Sequence, residues 1–482
     1  MAFVLKRQPA LSPKHQAYAY QVDAIHFVKD LSYAAIFHEQ GLGKTKIAID
    51  LSLLWLDKDV VDTVFIITKK SLVENWKNEV KGHCHITPHI LSSNRAQNST
   101  SLNSPVLIYI TNYETIAANV KLIKMFFMTC RVGCILDESQ KIKNPDAYLT
   151  RVFHEIASLF ERRIIMTGTP AANRPYDIWA QIKFLDNGET LGSSFDTFRQ
   201  EMDLPKCNNK SDDYEGRLST INKRIAPFTV RETKDTAGIH LPNKTILTRN
   251  VKLPSWQLNR YTTYRDELAF EYKKEGIIET DRVDSILKRL LRLVQCASNP
   301  GLIDGNYELE PAKLPVLTEM CHDFTKESKV IVWTGFIENV EWLAKKLSKF
   351  NPAIIHGSLS LHHRNESVRK FTNSSNLVLI ATPGAAKEGL TLTVANHAIF
   401  FDRSFSLDDY LQAQDRIHRI SQTRDCFIHN LIARDTIDEW VDVLLTAKYR
   451  AAQLAQGDID AKTFRDIFRT DVSEVLQSVL FP

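Results

Sequence analysis

The chain has 482 residues, of which 44% are hydrophobic and 24% are charged, and its net charge is +4. This length predicts two or three domains, and the composition is typical of a soluble globular protein rather than a fibrous, disordered or membrane-spanning one. The mildly basic balance permits a nucleic-acid partner but does not by itself indicate one.

Seven cysteines without a C-x-x-C pair predict free thiols in a reducing compartment. We expect no zinc, because adjacent residues such as His83, Cys84 and His85 cannot easily converge on one ion. Residues 1–10 lack the apolar core of a signal peptide, and no apolar run approaches the length of about 18 residues that spans a membrane. We therefore predict an intracellular, soluble protein without a membrane partner, cytoplasmic if bacterial or viral and nuclear if eukaryotic.

The first predicted elements are an amphipathic helix over residues 11–30, which carries Gln21, and a buried strand over residues 33–37. Helical spacing of apolar residues returns after Thr45. The run from Gly41 to Thr45 (GLGKT) therefore lies on a strand-to-helix turn, where N–H groups and the helix dipole favour an anion.

This turn has the residues of a phosphate-binding loop. Gly41 and Gly43 allow the backbone to approach phosphate oxygens closely. Lys44 is expected to reach the β- and γ-phosphates of a nucleotide, and the Thr45 hydroxyl to hold magnesium. His38 stands where the pattern usually has its first glycine. An ordinary left-handed turn is the alternative.

Four more apolar runs follow, each ending in a polar residue, at 64–67, 106–110, 134–136 and 164–166. Polar or helical spacers separate them, which predicts a parallel sheet covered by helices on both faces. Ligands of such sheets gather at the carboxyl ends of the strands. Residues 92–104 are predicted to be a polar loop.

Residues 186–245 interrupt this alternation, and residues 206–216 are predicted to be polar and mobile. Residues 256–302 have helical spacing. A second strand–helix series then begins, with apolar runs at 330–333, 353–355, 377–380, 398–401 and 427–428. The chain is therefore predicted to form two similar α/β lobes with helical insertions near their junction.

Asp137 and Glu138 are adjacent carboxylates at the end of a hydrophobic strand. Asp137 is placed to hold the Mg²⁺ of a nucleotide and Glu138 to polarise the attacking water. The alternative is a solvated loop or a helix cap. A phosphate loop on the same sheet edge favours the catalytic interpretation.

These motifs resemble a superfamily-two helicase-type motor, specifically the Swi/Snf-related DNA translocases. Gln21 matches the adenine-reading glutamine of that family, and Lys69 to Trp76 resembles its first DNA-contacting motif. Further matches run in the family's order to about residue 440, and they include 137–144, 166–173, 227–244, 356–371, 388–392 and 412–422. The run 169–175 resembles the shorter, annealing-helicase-like branch.

The sequence departs from the family pattern at Gln140, where His is usual, at His38, which replaces an acidic residue, and at 404–407.

The resemblance implies two tandem RecA-like (P-loop NTPase) lobes. We expect the first lobe at 1–245, with a helical protrusion at about 186–240. We expect the second lobe at 246–482, with a protrusion at about 254–310. The family resemblance also implies ATP and Mg²⁺ as ligands, with Gly389 in contact with the nucleotide.

Arg416 and Arg419 lie one turn apart, so on a helix both would face the same way. Arginine pairs on helices are usually solvated or salt-bridged, but the motif resembles one that supplies arginine fingers to the γ-phosphate across the lobe interface. Phosphate contacts with DNA are expected from a set that could equally be surface charges and polar residues: Lys69, Lys70, Thr111, Asn112, Lys143, Arg364 and Lys387.

The sequence thus predicts an ATP-dependent translocase on double-stranded DNA, targeted by partner proteins. A strand-separating DNA or RNA helicase is the nearest enzymatic alternative. A non-hydrolysing, ATP-gated scaffold is the alternative of another class, and the intact Lys44, Asp137, Glu138 and Arg419 disfavour it.

Overall fold

The computed structural model describes residues 9–171, 173–202, 212–239, 241–275, 283–386, 391–467 and 472–480. The chain forms two compact units. The first unit is made of residues 1–240 and 451–464, and the second of residues 241–450 and 465–482. Residues 451–464, which the sequence analysis placed in the second lobe, therefore belong to the first unit.

The first unit is built on one parallel sheet in the order β3-β4-β2-β5-β6-β1-β7. Its strands are β1 Tyr33–Ile36, β2 Thr63–Thr68, β3 His89–Ile90, β4 Ile108–Asn112, β5 Val132–Asp137, β6 Arg162–Met166 and β7 Thr229–Val230. The five strands predicted for this half are confirmed. Their continuous apolar runs are buried because helices cover both faces of the sheet.

Helices link these strands in the first unit. They are α1 Ala19–Val28, α2 Lys44–Asp57, α3 Val73–His83, α4 Arg95–Leu102, α5 Tyr113–Ala118, α6 Val120–Phe127, α7 Tyr148–Ile156, α8 Trp179–Asp186, α9 Phe195–Met202 and α10 Asp212–Ile225. Apolar residues of α1, α2 and α3 pack in one core with residues of β1, β2 and β4 to β6. Because all of these strands are parallel, their carboxyl ends lie at one edge of the sheet.

Two local predictions for this unit are wrong. The first helix begins at Ala19 rather than residue 11, because the side-chain oxygen of Gln21 accepts a hydrogen bond from the Tyr18 N–H at the helix start. The predicted loop at 92–104 contains α4, although its sequence has no apolar periodicity. Asn94 caps this helix by accepting from two backbone N–H groups, and Asn98, within the helix, is buried.

The second unit has a six-stranded parallel sheet in the order β10-β11-β9-β12-β13-β8. Its strands are β8 Lys244–Val251, β9 Lys329–Trp333, β10 Ala353–Ile355, β11 Val378–Ala381, β12 Ala395–Phe400 and β13 Cys426–Ala433. The five predicted strands and the α/β fold class are confirmed. Strand β8 escaped prediction because it is a mostly exposed edge strand without an apolar run.

The remaining helices follow residue 241. They are α11 Ser255–Glu275, α12 Val283–Ser298, α13 Lys313–Phe324, α14 Ile337–Lys346, α15 Leu361–Asn373, α16 Pro383–Ala386, α17 Leu407–Gln414, α18 Ile437–Gln456, α19 Ala461–Ile467 and α20 Val472–Leu480. The helical prediction for 256–302 is confirmed by α11 and α12 within the described residues. The mobile loop predicted at 206–216 lies outside the described residues up to 211, and α10 occupies the rest. Across the described ranges, the structure contains no helix long and apolar enough to cross a membrane.

Candidate nucleotide site

The phosphate loop joins β1 to α2 in the first unit. Gly41 and Gly43 have φ angles of 88° and 67°, a region that side chains with a Cβ rarely adopt. A Cβ on Gly43 would also lie 2.5 Å from the Gln21 amide nitrogen. The sequence therefore needs glycine here for both conformation and space. Helix α2 begins directly afterwards at Lys44, so Thr45 lies in its first turn.

Gln21 contacts this loop from α1. Its side chain is 3% exposed, and its amide nitrogen donates to the Leu42 carbonyl at 3.2 Å. Tyr20 donates its hydroxyl to the same carbonyl at 3.1 Å. The residue predicted to recognise adenine thus lies against the phosphate loop, and its adenine contact stays a prediction.

Lys44 lies over the loop, where its ammonium donates to the backbone carbonyls of His38 at 2.7 Å and Glu39 at 3.1 Å. His38 is 1% exposed. Burial, together with the positive charges of Lys44 and Arg231, lowers the pKa of His38 to about 3. The imidazole is therefore neutral at physiological pH, so Lys44 supplies positive charge to the loop and His38 does not.

The segment after β7 contacts the same loop, which the sequence did not indicate. Backbone N–H groups of Phe37 and Glu39 donate to carbonyls of Val230 and Glu232. Lys234 forms an ion pair with Glu39 at 3.3 Å. Strand β7 has only two residues and no apolar run of its own, so its pairing with β1 left no detectable pattern.

Asp137 ends β5, at the same sheet edge. One carboxylate oxygen, Oδ2, accepts from the Trp76 indole at 2.8 Å and from the Thr68 hydroxyl at 3.0 Å. Burial, followed by the negative charge of Glu138, raises the pKa of Asp137, while the two donors and the charge of Lys44 oppose this rise. Ile36 of β1 and Asp137 of β5 both pair with Met166 of β6, so Asp137 and the loop that follows β1 lie at the same edge of the sheet.

Glu138 adopts a left-handed backbone conformation with φ of 55°. Non-glycine residues rarely do so, and such strain concentrates at functional sites. Its Oε2 accepts from the Gln140 amide and lies 3.5 Å from the Lys69 ammonium. Gln140, which replaces the usual His, thus bonds to the predicted catalytic base.

The donor set fits magnesium. The Asp137 and Glu138 carboxylates and the Thr45 hydroxyl are hard oxygen donors of the kind Mg²⁺ prefers, and nucleotide phosphates complete such sites in other enzymes. Asp137 already has a fixed carboxylate plane, because two donors hold one of its oxygens. The residues present are therefore compatible with a nucleotide-bound magnesium ion.

The predicted DNA contacts of the first unit differ in accessibility. Lys70 is exposed and Lys69 is half-buried, and both directly follow β2. Lys143 forms an ion pair with Asp177 at 2.8 Å. Thr111 is fully buried with its hydroxyl on the Leu91 carbonyl, so its side chain is not available to a phosphate here. The Asn112 side chain caps α5 by accepting from the Thr115 N–H.

In the second unit, Arg364 is half-buried and donates to the carbonyls of Leu359 at 2.9 Å and Gly357 at 2.7 Å. Its guanidinium is thereby fixed on the loop that follows β10. Lys387 and Gly389 lie outside the described residues.

Arg416 and Arg419 do not lie on a helix, which corrects the prediction. Helix α17 ends at Gln414, and the following residues form turns. The Arg416 carbonyl accepts from the Leu392 N–H, and the Ile417 carbonyl from the Gln422 side chain. These bonds use carbonyls that, in a continuing helix, would accept from backbone N–H groups four residues further on. Arg416 is 2% exposed, whereas Arg419 is half-buried and donates to Thr391.

Comparison with known proteins identifies the family. The SNF2-related domain matches residues 20–302, which is more than half of the chain. The chain belongs to the SNF2-related family. The helicase conserved C-terminal domain matches residues 312–421, so both halves of the chain have a family assignment. The resemblance found in the sequence is confirmed.

Relatives of this SNF2-related chain include an uncharacterized ATP-dependent helicase of Mycoplasma pneumoniae, 28% identical over 88% of the chain and 40% of the relative. YwqA of Bacillus subtilis, described as an ATP-dependent helicase/translocase, is 27% identical over 89% of the chain and 47% of the relative. The DNA repair and recombination protein RAD54 of Saccharomyces cerevisiae is 25% identical over 83% of the chain and 50% of its own length. The chain thus spans half or less of these relatives.

Proposed function

We propose that the chain is an ATP-dependent translocase on double-stranded DNA and the motor part of a larger repair, fork-remodelling or anti-foreign-DNA system. The observation that carries the proposal is that the phosphate loop with Lys44 and the carboxylate pair Asp137 and Glu138 follow β1 and β5, which flank β6 and end at the same edge of the sheet. ATP-dependent helicase relatives support the choice of nucleotide, and RAD54, named for DNA repair and recombination, supports the choice of DNA.

In this proposal Lys44 binds the β- and γ-phosphates at the start of α2, where the helix dipole adds positive potential. Thr45 and Asp137 are the magnesium ligands. The metal, when bound, neutralises phosphate charge that develops during hydrolysis. Gln21 contacts the adenine, and Gly389 is kept as a nucleotide contact from the family resemblance.

Glu138 orients the attacking water and accepts its proton. In the structure its Oε2 is held by Gln140 and is close to Lys69. Gln140 therefore sets the orientation of the base before water binds. Arg419, with Arg416, is proposed to stabilise the transition state at the γ-phosphate, since a planar guanidinium matches phosphate oxygens.

The nucleic-acid contacts we retain are Lys69, Lys70, Asn112, Lys143, Arg364 and Lys387, and we omit Thr111 because it is buried. Contacts to phosphate carry no sequence information. A motor that moves along any duplex needs this kind of contact.

The test compares ATP turnover with duplex DNA, single-stranded DNA and RNA, followed by displacement of a third strand from a DNA triplex. Strongest activation by duplex DNA, with triplex displacement that needs ATP, supports the proposal. Separation of a forked duplex without triplex displacement would instead support a strand-separating helicase. ATP binding without turnover in any condition would support a scaffold.

A further inference from the structure

Trp76 is a buried residue whose indole N–H bonds to the carboxylate of Asp137, at the end of β5. It lies on α3, is 2% exposed, and donates its indole N–H to Asp137 Oδ2 at 2.8 Å. Thr68, the last residue of β2, donates to the same oxygen at 3.0 Å. Two neutral donors from one short segment therefore converge on one oxygen of Asp137.

Each partner in this arrangement satisfies the other. A buried indole N–H needs an acceptor, and a buried carboxylate needs donors. Trp76 also packs in the core that contains residues of β1, β2 and β5, so its ring cannot turn without disturbing that core. The indole is thus held by packing, and Asp137 is held by the indole.

The resemblance placed Trp76 within a DNA-contacting motif, but its burial excludes a direct phosphate contact in this structure. Lys70, six residues earlier, is exposed, and Lys69 is half-buried. Lys69 and Lys70 lie between Thr68 and Trp76, and Lys69 also approaches Glu138 at 3.5 Å. One segment, residues 68–76, therefore contacts both proposed catalytic carboxylates and carries the lysines proposed to contact DNA.

We propose that Trp76 and Thr68 are positioning residues, which orient the Asp137 carboxylate for the magnesium ion of the bound nucleotide. This inference rests on the proposed function, because it assumes that Asp137 is a metal ligand. Partners that hydrogen-bond to metal ligands fix the ligand's orientation, and their loss typically lowers metal affinity about 10–100-fold.

The test measures Mn²⁺ binding in the presence of ADP by electron paramagnetic resonance, so the readout does not depend on turnover. Trp76→Phe keeps an aromatic ring and removes the N–H. We expect Mn²⁺ affinity to fall about 10–100-fold, while ADP affinity in EDTA stays at the wild-type value. Thr68→Val should also lower Mn²⁺ affinity, and Thr68→Ser should restore it because the hydroxyl returns.

Trp55→Phe is the matched control. Trp55 is 1% exposed in the same core and donates its N–H to the Lys29 carbonyl at 3.3 Å, away from Asp137. Its variant should bind Mn²⁺ like wild type. Equal losses in both tryptophan variants, or no loss in Trp76→Phe, would overturn the proposal.

The threonine pair keeps the proposal testable if Trp76→Phe does not fold. Equal Mn²⁺ affinity in Thr68→Val and Thr68→Ser would then overturn it. Wild-type protein that binds neither ADP nor Mn²⁺ would overturn the proposed function itself, which is a different result from a specific loss in the variants.

Discussion

Arg231 and Asp458, 227 positions apart in the chain, form a two-point ion pair in the first unit, with N–O distances of 2.8 and 2.6 Å. Arg231 also donates to the carbonyl of Phe37, the residue that follows β1 and precedes the phosphate loop. The side chains are only 17% and 11% exposed. Asp458 is thereby bonded to Arg231, which in turn bonds to the residue before the phosphate loop.

The first prediction is that Asp458→Asn lowers the free energy of unfolding of the first unit by about 1–3 kcal/mol, because it leaves a largely buried arginine without its counter-charge. ATP turnover should also fall, since Arg231 holds the chain before the loop. Chemical denaturation and ATPase assays measure both effects. Asp323→Asn is the control, because its ion pair with Lys326 is more than half exposed. Equal destabilisation in both variants would contradict the prediction.

The second prediction separates nucleotide binding from hydrolysis. Lys44→Ala should weaken ATP binding, because it removes the ammonium over the loop. Glu138→Gln should bind ATP near normally and turn it over at least about 100-fold more slowly, since an amide is not a general base. Glu155→Gln, an exposed carboxylate paired with Lys124, is the control. Wild-type turnover in Glu138→Gln would exclude Glu138 as the base.

The third prediction concerns DNA binding. Each phosphate contact releases counterions, so Lys70→Ala should make the slope of log affinity against log salt shallower by about 0.9, equally for unrelated duplex sequences. Fluorescence anisotropy over a salt series measures this slope. Lys58→Ala is the control, because Lys58 is exposed but precedes β2, whereas Lys70 follows it. A larger change for Lys58 would place the DNA on the other edge of the sheet.

The fourth prediction tests the arginine of the second unit. Arg419→Ala should reduce DNA-stimulated kcat by about 10³–10⁵ while ATP affinity stays within a few-fold, because a finger stabilises charge only in the transition state. Arg419→Lys should restore little activity, since lysine lacks the planar fork. Steady-state kinetics and a nucleotide-binding assay distinguish the two parameters. Unchanged kcat in Arg419→Ala would assign Arg419 a structural role, through bonds such as those to Thr391 and to the Asp415 carbonyl.

The fifth prediction is an acid sensitivity of the second unit. His397 and His429 lie on β12 and β13 with ring nitrogens 3.2 Å apart. Burial, with the charge of Arg424, lowers the pKa of His397 to about 4, and burial, with the charges of His397 and Arg249, lowers that of His429 to about 4. A histidine in the unfolded chain titrates near pH 6.5. Between about pH 4 and pH 6.5 the unfolded chain therefore binds more protons than the folded chain.

Stability should therefore be complete above about pH 6.5 and fall toward pH 4, by about 1 kcal/mol per histidine near pH 5 after allowance for partial solvent exposure. His397→Phe, which keeps the ring stack with Phe324 and Phe427, should flatten this dependence. Urea unfolding at several pH values measures it. His322→Gln, an exposed histidine on α13, should retain the wild-type dependence. A wild-type pH profile in His397→Phe would contradict the assignment.

The sequence by itself determined the α/β class, ten of the thirteen strands described, the phosphate loop and the carboxylate pair. Each of these is a local pattern. A buried parallel strand needs a continuous apolar run, and the loop needs glycine and lysine at fixed spacing. A short capped helix such as α4, or a paired edge such as β7 and β8, has no apolar run and so was missed.

Only the tertiary structure decided what surrounds these motifs. The bond from Trp76 to Asp137, the pairing of β7 with β1, and the ion pair between Arg231 and Asp458 join residues far apart in the chain. Periodicity and spacing describe neighbours along the chain, whereas these contacts depend on strand order and on how side chains pack between elements. Likewise, Arg416 lies in a turn after α17, and its carbonyl accepts from the N–H of Leu392, which is distant in the chain.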